Sequence, residues 1–274
     1  MGKVKIKKKS TLIDMTAMSD VTVLLLTFFM LTSTFLTKEP TTVQTPSAVS
    51  VSEEMIPAKD LVTVLVSSQD KNPNAENPLA IEGKIFLSFT GDSVISSEAL
   101  REQVLANAVA KYNEKHKNHP VTLTPKMVSN FKKSNMMGTP FRYLEEVLSM
   151  DPAEMDKLMT DLANPKVGIP INGNKDKQGN LNDFQVWMWA LAKMATENRA
   201  DAISNAGLVE GTDTQKIRDL DIIYNSLYQG RGISIKADKD TPFDKIDEVF
   251  DNLQTMGLNK FTLQTALKTE EANQ

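Results

Sequence analysis

The chain has no cysteine, which excludes a disulfide framework, a thiol nucleophile and any thiolate metal site. Its two histidines, His116 and His119, sit in a lysine-rich stretch with no acid or cysteine at ligand spacing. They are expected to be surface residues, and no metal centre is expected. Neither Gly-x-x-x-x-Gly-Lys-Ser/Thr nor Gly-x-Gly-x-x-Gly occurs, so there is no phosphate cradle and no dinucleotide fingerprint. No Ser/His/Asp set can be assembled. The stretch "NGNKDKQGN" (172–180) lacks the sixth-position glycine and the closing acid of a calcium loop and is expected to be an exposed turn. The chain is therefore expected to be no enzyme and to carry no cofactor. The net charge of −4 is modest and does not suit a nucleic-acid binder.

Charge is instead concentrated at one end. Lys3, Lys5, Lys7, Lys8 and Lys9 come first, and the first acid after them is Asp14. Residues 15–36 follow, with Asp20 as the one charged residue among them. A helix of that length reaches about 33 Å, enough for a hydrocarbon core of roughly 30 Å. A signal peptide would have a shorter apolar region and an Ala-x-Ala-like cleavage site. A core helix would leave the lysine block unexplained. The expectation is a single transmembrane helix with the lysines on the cytoplasmic side, an uncleaved signal or a core helix being the other readings.

On a helical wheel Thr16, Thr27 and Thr34 fall within about 40° of Asp20. A carboxylate at the centre of a membrane helix costs about 2.5–3.5 kcal/mol on insertion scales. Asp20 is thus expected to face partner helices or a water path, the alternative being a structural acid near headgroups.

Residues 37–58 are rich in Thr, Ser, Pro and Val and read as a linker. Strands are predicted at 60–68, 83–89, 232–238 and 260–267. A helix capped by Ser96 or Ser97 ends before Pro120, and another, over 241–257, is predicted with Thr241 as cap and Pro242 in its first position. Between these lie about 110 residues reading as further helices, "TPFRYLEEVLS", "DPAEMDKLMTDLA", "LNDFQVWMWALAKMATENRA" and "DTQKIRDLDIIYNSLYQ". Trp187 and Trp189 are expected to pack within the third. Strands and helices in this order predict an α+β layer structure.

Two separated stretches resemble the ExbD/TolR family. "LIDMTAMSDVTVLLLTFFMLTSTF" is similar to the family motif Ile-Asn-Val-Thr-Pro-Phe-Ile-Asp-Val followed by an apolar helix. Asp14 stands at the Asn place, Thr16 at Thr, Ala17 where the family has Pro, and Asp20 at the family's proton-carrying aspartate. "SIKADKDTPFDKIDEVFDNLQTMGLNKFTLQT" is similar to the family's closing strand–helix–strand. The resemblance implies an α+β fold: a single N-terminal transmembrane helix, then a periplasmic ExbD/TolR-like layer domain with a mostly helical insertion. The domains would be a basic cytoplasmic segment (1–14), a transmembrane helix (15–36), a linker (37–58) and a periplasmic domain (59–274) with the insertion at about 121–230.

It also implies a motor subunit of the inner membrane, single-pass, with a cytoplasmic N-terminus. Two copies would sit in an ExbB/TolQ/MotA-like pentamer and couple the proton motive force to a TonB-like energy transducer. Asp20 would carry the proton. Asp14, Thr16, Thr27 and Thr34 would line or support the path, and Lys3, Lys5, Lys7, Lys8 and Lys9 would hold the cytoplasmic surface. The alternative is a membrane-anchored periplasmic binding or cell-wall-attachment module without ion transport.

Overall fold

A computed structural model describes residues 15–32, 45, 47–48, 61–67, 84–91, 95–171, 181–209, 211, 213, 216–217, 222–228, 232–238, 241–264 and 266–267. The chain divides into two compact units, Met1–Thr37 and Lys38–Gln274.

The first unit contains α1, Met15–Thr32, of 18 residues. At 1.5 Å per residue it is about 27 Å long, short of a hydrocarbon core of roughly 30 Å. Ser19, Asp20 and the four threonines Thr16, Thr22, Thr27 and Thr32 further dilute its apolar character. Among the described residues no helix is long and apolar enough to cross a membrane. This corrects the expected transmembrane helix over 15–36, and with it the single-pass inner-membrane placement. The reading as a proton-motive-force motor of a TonB system rested on that span and falls with it.

The second unit is built on a mixed sheet of order β3-β2-β4-β5. β2 (Val62–Ser67) is central, antiparallel to β3 (Lys84–Phe89) and parallel to β4 (Ile233–Ala237). β4 pairs in parallel with β5 (Phe261–Gln264), Ile235 standing opposite Leu263. Val62, Val64, Leu65 and Val66 are fully buried. A continuous apolar run of this kind suits a strand covered on both faces. A second, two-stranded pairing joins β1 (Ser47–Ala48) in parallel to β6 (Ala266–Leu267).

Helices fill the interval between β3 and β4. α2 (Ser97–Lys115) starts at Ser96, whose hydroxyl accepts from the Ala99 amide at 3.3 Å. α3 (Pro125–Lys133), α4 (Phe141–Ser149), α5 (Pro152–Met159), α6 (Asp183–Asn205) and α7 (Ile222–Tyr228) follow. α2 packs on α3 and α6, and α6 packs on α7 and on α8 (Phe243–Thr255), the helix that connects β4 to β5. Trp187 of α6 is 1 % exposed and stacks on Phe131 of α3 at 5.5 Å and on Phe141 of α4 at 5.0 Å, with Phe89 of β3 at 6.0 Å. Sheet and helices therefore share one core, running from Leu61 to Leu258. Arg101 stitches them: its Nε donates to the Phe89 carbonyl at 2.9 Å and its Nη1 to the Lys132 carbonyl at 2.8 Å.

The predicted cap of α8 is displaced. Pro242 occupies the cap position with no side-chain bond, and Thr241 is buried with its hydroxyl unpartnered. Trp189, unlike Trp187, is only half-buried, with the ammonium of Lys111 4.9 Å from its ring centre and that of Lys193 at 5.4 Å.

Candidate functional site

The residues singled out near the N-terminus are placed unevenly. Lys3, Lys5, Lys7, Lys8, Lys9, Asp14 and Thr34 lie outside the described residues, as does the turn at 172–180. Thr16, Asp20 and Thr27 belong to α1, whose period brings them to one face. Asp20 is exposed. The Thr27 hydroxyl donates to the Leu24 carbonyl at 2.9 Å and that of Thr22 to the Ser19 carbonyl at 2.8 Å, so both are committed to their own helix. Around them Val23, Leu24, Leu25 and Leu26 are each half or more exposed, as are Phe28 and Phe29. Four consecutive apolar positions point in four directions, so α1 presents apolar surface on every side.

The second unit offers a backbone site at the end of its sheet. β5 is the outer strand, and among the described residues no strand lies on its far side. It is held from within: Phe261 stacks on Phe250 of α8 at 4.8 Å, and the Gln264 amide donates to the Ser234 hydroxyl at 2.7 Å. Leu263, 41 % exposed, faces outward. One residue beyond β5, β6 already carries an added strand: Ser47 lies opposite Ala266 and Ala48 opposite Leu267. An open edge with unpaired amides and carbonyls is a template for another extended segment. The sequence pattern exposes "KFTLQTAL" as a strand; it does not expose β1, a two-residue strand in a stretch read as linker.

The opposite edge is closed. Met137 bridges Leu87 of β3, with amide–carbonyl bonds of 2.7 and 2.8 Å, and the Ile169 amide donates to the Ile85 carbonyl at 2.9 Å. β3 therefore has a ready-made cover, and among the described residues β5 has none.

The titratable groups that burial perturbs hold the fold together. Asp183, at the start of α6, accepts from the Phe141 amide at 2.9 Å. Burial pushes its carboxyl above the usual range, against the Phe141 amide and the charges of His116 and Arg142. Burial lowers the Arg101 guanidinium and raises the Tyr112 and Tyr228 phenols. His116 is exposed and stacks on Tyr112 with ring centres 3.9 Å apart. Among the described residues no three His, Cys, Asp or Glu side chains converge as a metal site.

Comparison with known proteins gives one match. Residues 7–133 fit the family model described as biopolymer transport protein ExbD/TolR, so the chain carries an ExbD/TolR family domain over that stretch. The match ends at the last residue of α3 and does not take in the C-terminal strand–helix–strand that also resembles the family. No curated protein and no solved structure matches the chain.

Proposed function

We propose that the chain is a binding or attachment module built on an ExbD/TolR-type α+β domain, working without ion transport, and that its open sheet edge recruits a second copy of itself. The observation that carries the reading is the outer strand β5, continued by a segment that already accepts β1 in parallel. Backbone pairing of this kind needs no catalytic side chain and no bound cofactor. In this reading the helices between α2 and β4 are an insertion into the family domain, at about residues 121–230, placed where they thicken the core and leave the β5 edge free.

The absence of cysteine makes the test clean. A Leu263→Cys chain should give a disulfide-linked dimer on mild oxidation, because paired edges bring matching Cα atoms within the roughly 7 Å that a disulfide spans. Val209→Cys, at an exposed site away from the sheet, should stay unlinked. Sedimentation of the unmodified chain should show the same dimer. A monomer at every concentration, with no cross-link through Leu263→Cys, would overturn the proposal.

A further inference from the structure

Six of the 14 methionines lie between Met127 and Met159. Three of them, Met136, Met155 and Met159, border one cleft of about 150 Å³. Met155 and Met159 are four residues apart on α5, so one face of that helix carries both, and each is 4 % exposed. Met136 comes from the segment after α3 and is half-buried. Its neighbour Met137 belongs to the core, because successive side chains of an extended segment point to opposite sides.

The walls are held by the fold itself. Met137 bridges Leu87 of β3, and the Ser134 hydroxyl donates to the Met136 carbonyl at 2.9 Å. The Asn130 side-chain amide donates to the carbonyls of Leu148 and Met150 at 2.9 and 3.0 Å, which fixes α3 against the turn into α5. α5 is started by Asp151, whose carboxylate accepts from the Ala153 amide at 3.0 Å. The Thr139 hydroxyl donates to the Met159 sulfur at 3.9 Å. A thioether sulfur has two lone pairs, so this bond orients Met159 and leaves one pair for a ligand.

Methionine used as core filler closes irregular gaps, whereas these three border a gap that is open. The charged residues lining the cleft, Lys133 and Asp156, are one of each sign, which suits a singly charged ion better than a divalent one. Neither histidine borders it, and the chain has no thiolate to compete for a soft ion. We propose that this cleft binds one Cu(I) ion through the thioether sulfurs of Met136, Met155 and Met159. Thioethers select Cu(I), while imidazole suits Zn(II) and carboxylate or carbonyl oxygen suits Mg(II) and Ca(II). The inference goes beyond the sheet-edge reading and does not depend on it.

The test titrates the full chain with Cu(I), without oxygen, against a chromogenic Cu(I) chelator. One equivalent should bind, and Zn(II) should not displace it. A thioether has no proton to lose, so the affinity should be the same at about pH 7.5 and about pH 5.5, a range over which imidazole ligands protonate. Met136→Leu and Met159→Leu keep the side-chain volume, so the fold should survive them. Each should weaken Cu(I) by about tenfold or more, since even a lost outer-shell partner costs about 10–100-fold. Met18→Leu, on α1, should leave it unchanged. In a chain labelled at its methionine methyls, Ag(I) as a diamagnetic stand-in should shift the resonances of Met136, Met155 and Met159, which core packing alone would not do. No binding against the chelator, parental affinity in Met159→Leu, displacement by Zn(II) or a loss of affinity at the lower pH would each overturn the site.

Discussion

At Asp183 a carboxylate is buried at the start of α6, satisfied by one backbone amide and faced by the charges of His116 and Arg142. Desolvation outweighs these and raises its pKa above the ordinary aspartate value of 3.8. The sign of the linkage follows. A folded-state pKa above the unfolded one means that the neutral carboxyl favours the fold. That contribution is complete below 3.8 and is lost as pH rises through the folded value. Asp183→Asn keeps an oxygen for the Phe141 amide and removes the charge. Its melting temperature relative to the parent should therefore climb as pH is raised from about 4 to about 7. A difference that stays flat across that range would show that the charge of Asp183 is not what burial penalises.

At the scale of elements, α6 is the helix on which the packing converges, and its start is held by more than a cap. The Asn182 side chain accepts from the Gln185 amide at 2.8 Å, while Gln185 reaches back to the Asn182 amide at 3.2 Å. The same asparagine donates to the Ile171 carbonyl at 2.9 Å and to Asn252 of α8 at 2.8 Å. One side chain thus ends a loop, starts a helix and joins it to the helix beneath. Asn182→Ala should cost about 1–2 kcal/mol in denaturant unfolding, with the slope unchanged. A loss within about 0.5 kcal/mol would mean that water replaces these bonds at no cost.

Most elements were legible because their signals are local. The strand predicted at 60–68 is found at Val62–Ser67, and the helix predicted after Ser96 is found at Ser97–Lys115. The strand predicted at 260–267 divides into β5 and β6. α3 was overlooked, although Thr124 as cap and Pro125 in the first turn announce it. The Thr241 cap misled because a threonine before a proline reads as a helix start, while here tertiary burial takes the hydroxyl away from the helix.

On the scale of the whole molecule, the buried core of the described residues runs from Leu61 to Leu258, within the unit Lys38–Gln274. The unit Lys38–Gln274 should therefore fold without the unit before it. A chain beginning at Lys38 should unfold in one cooperative transition within about 2 °C of the full chain, by calorimetry. A broad transition, or a drop of about 10 °C, would show that α1 contributes to the core.

The helical period alone determined that Thr16, Asp20 and Thr27 share a face, and alternation with turn residues determined the strands of an α+β sheet. Composition determined that neither thiol chemistry nor a phosphate loop is available. Tertiary structure decided what depends on residues distant in sequence. It joined Ser47–Ala48 to Ala266–Leu267, closed one sheet edge with Met137 and Ile169 and, among the described residues, left β5 without an outer strand. It also gathered Met136 with Met155 and Met159 around one cleft. No periodic pattern links the first of these to the other two. Local preferences are written within a turn or a strand, whereas a binding surface arises only when the core brings separate elements together.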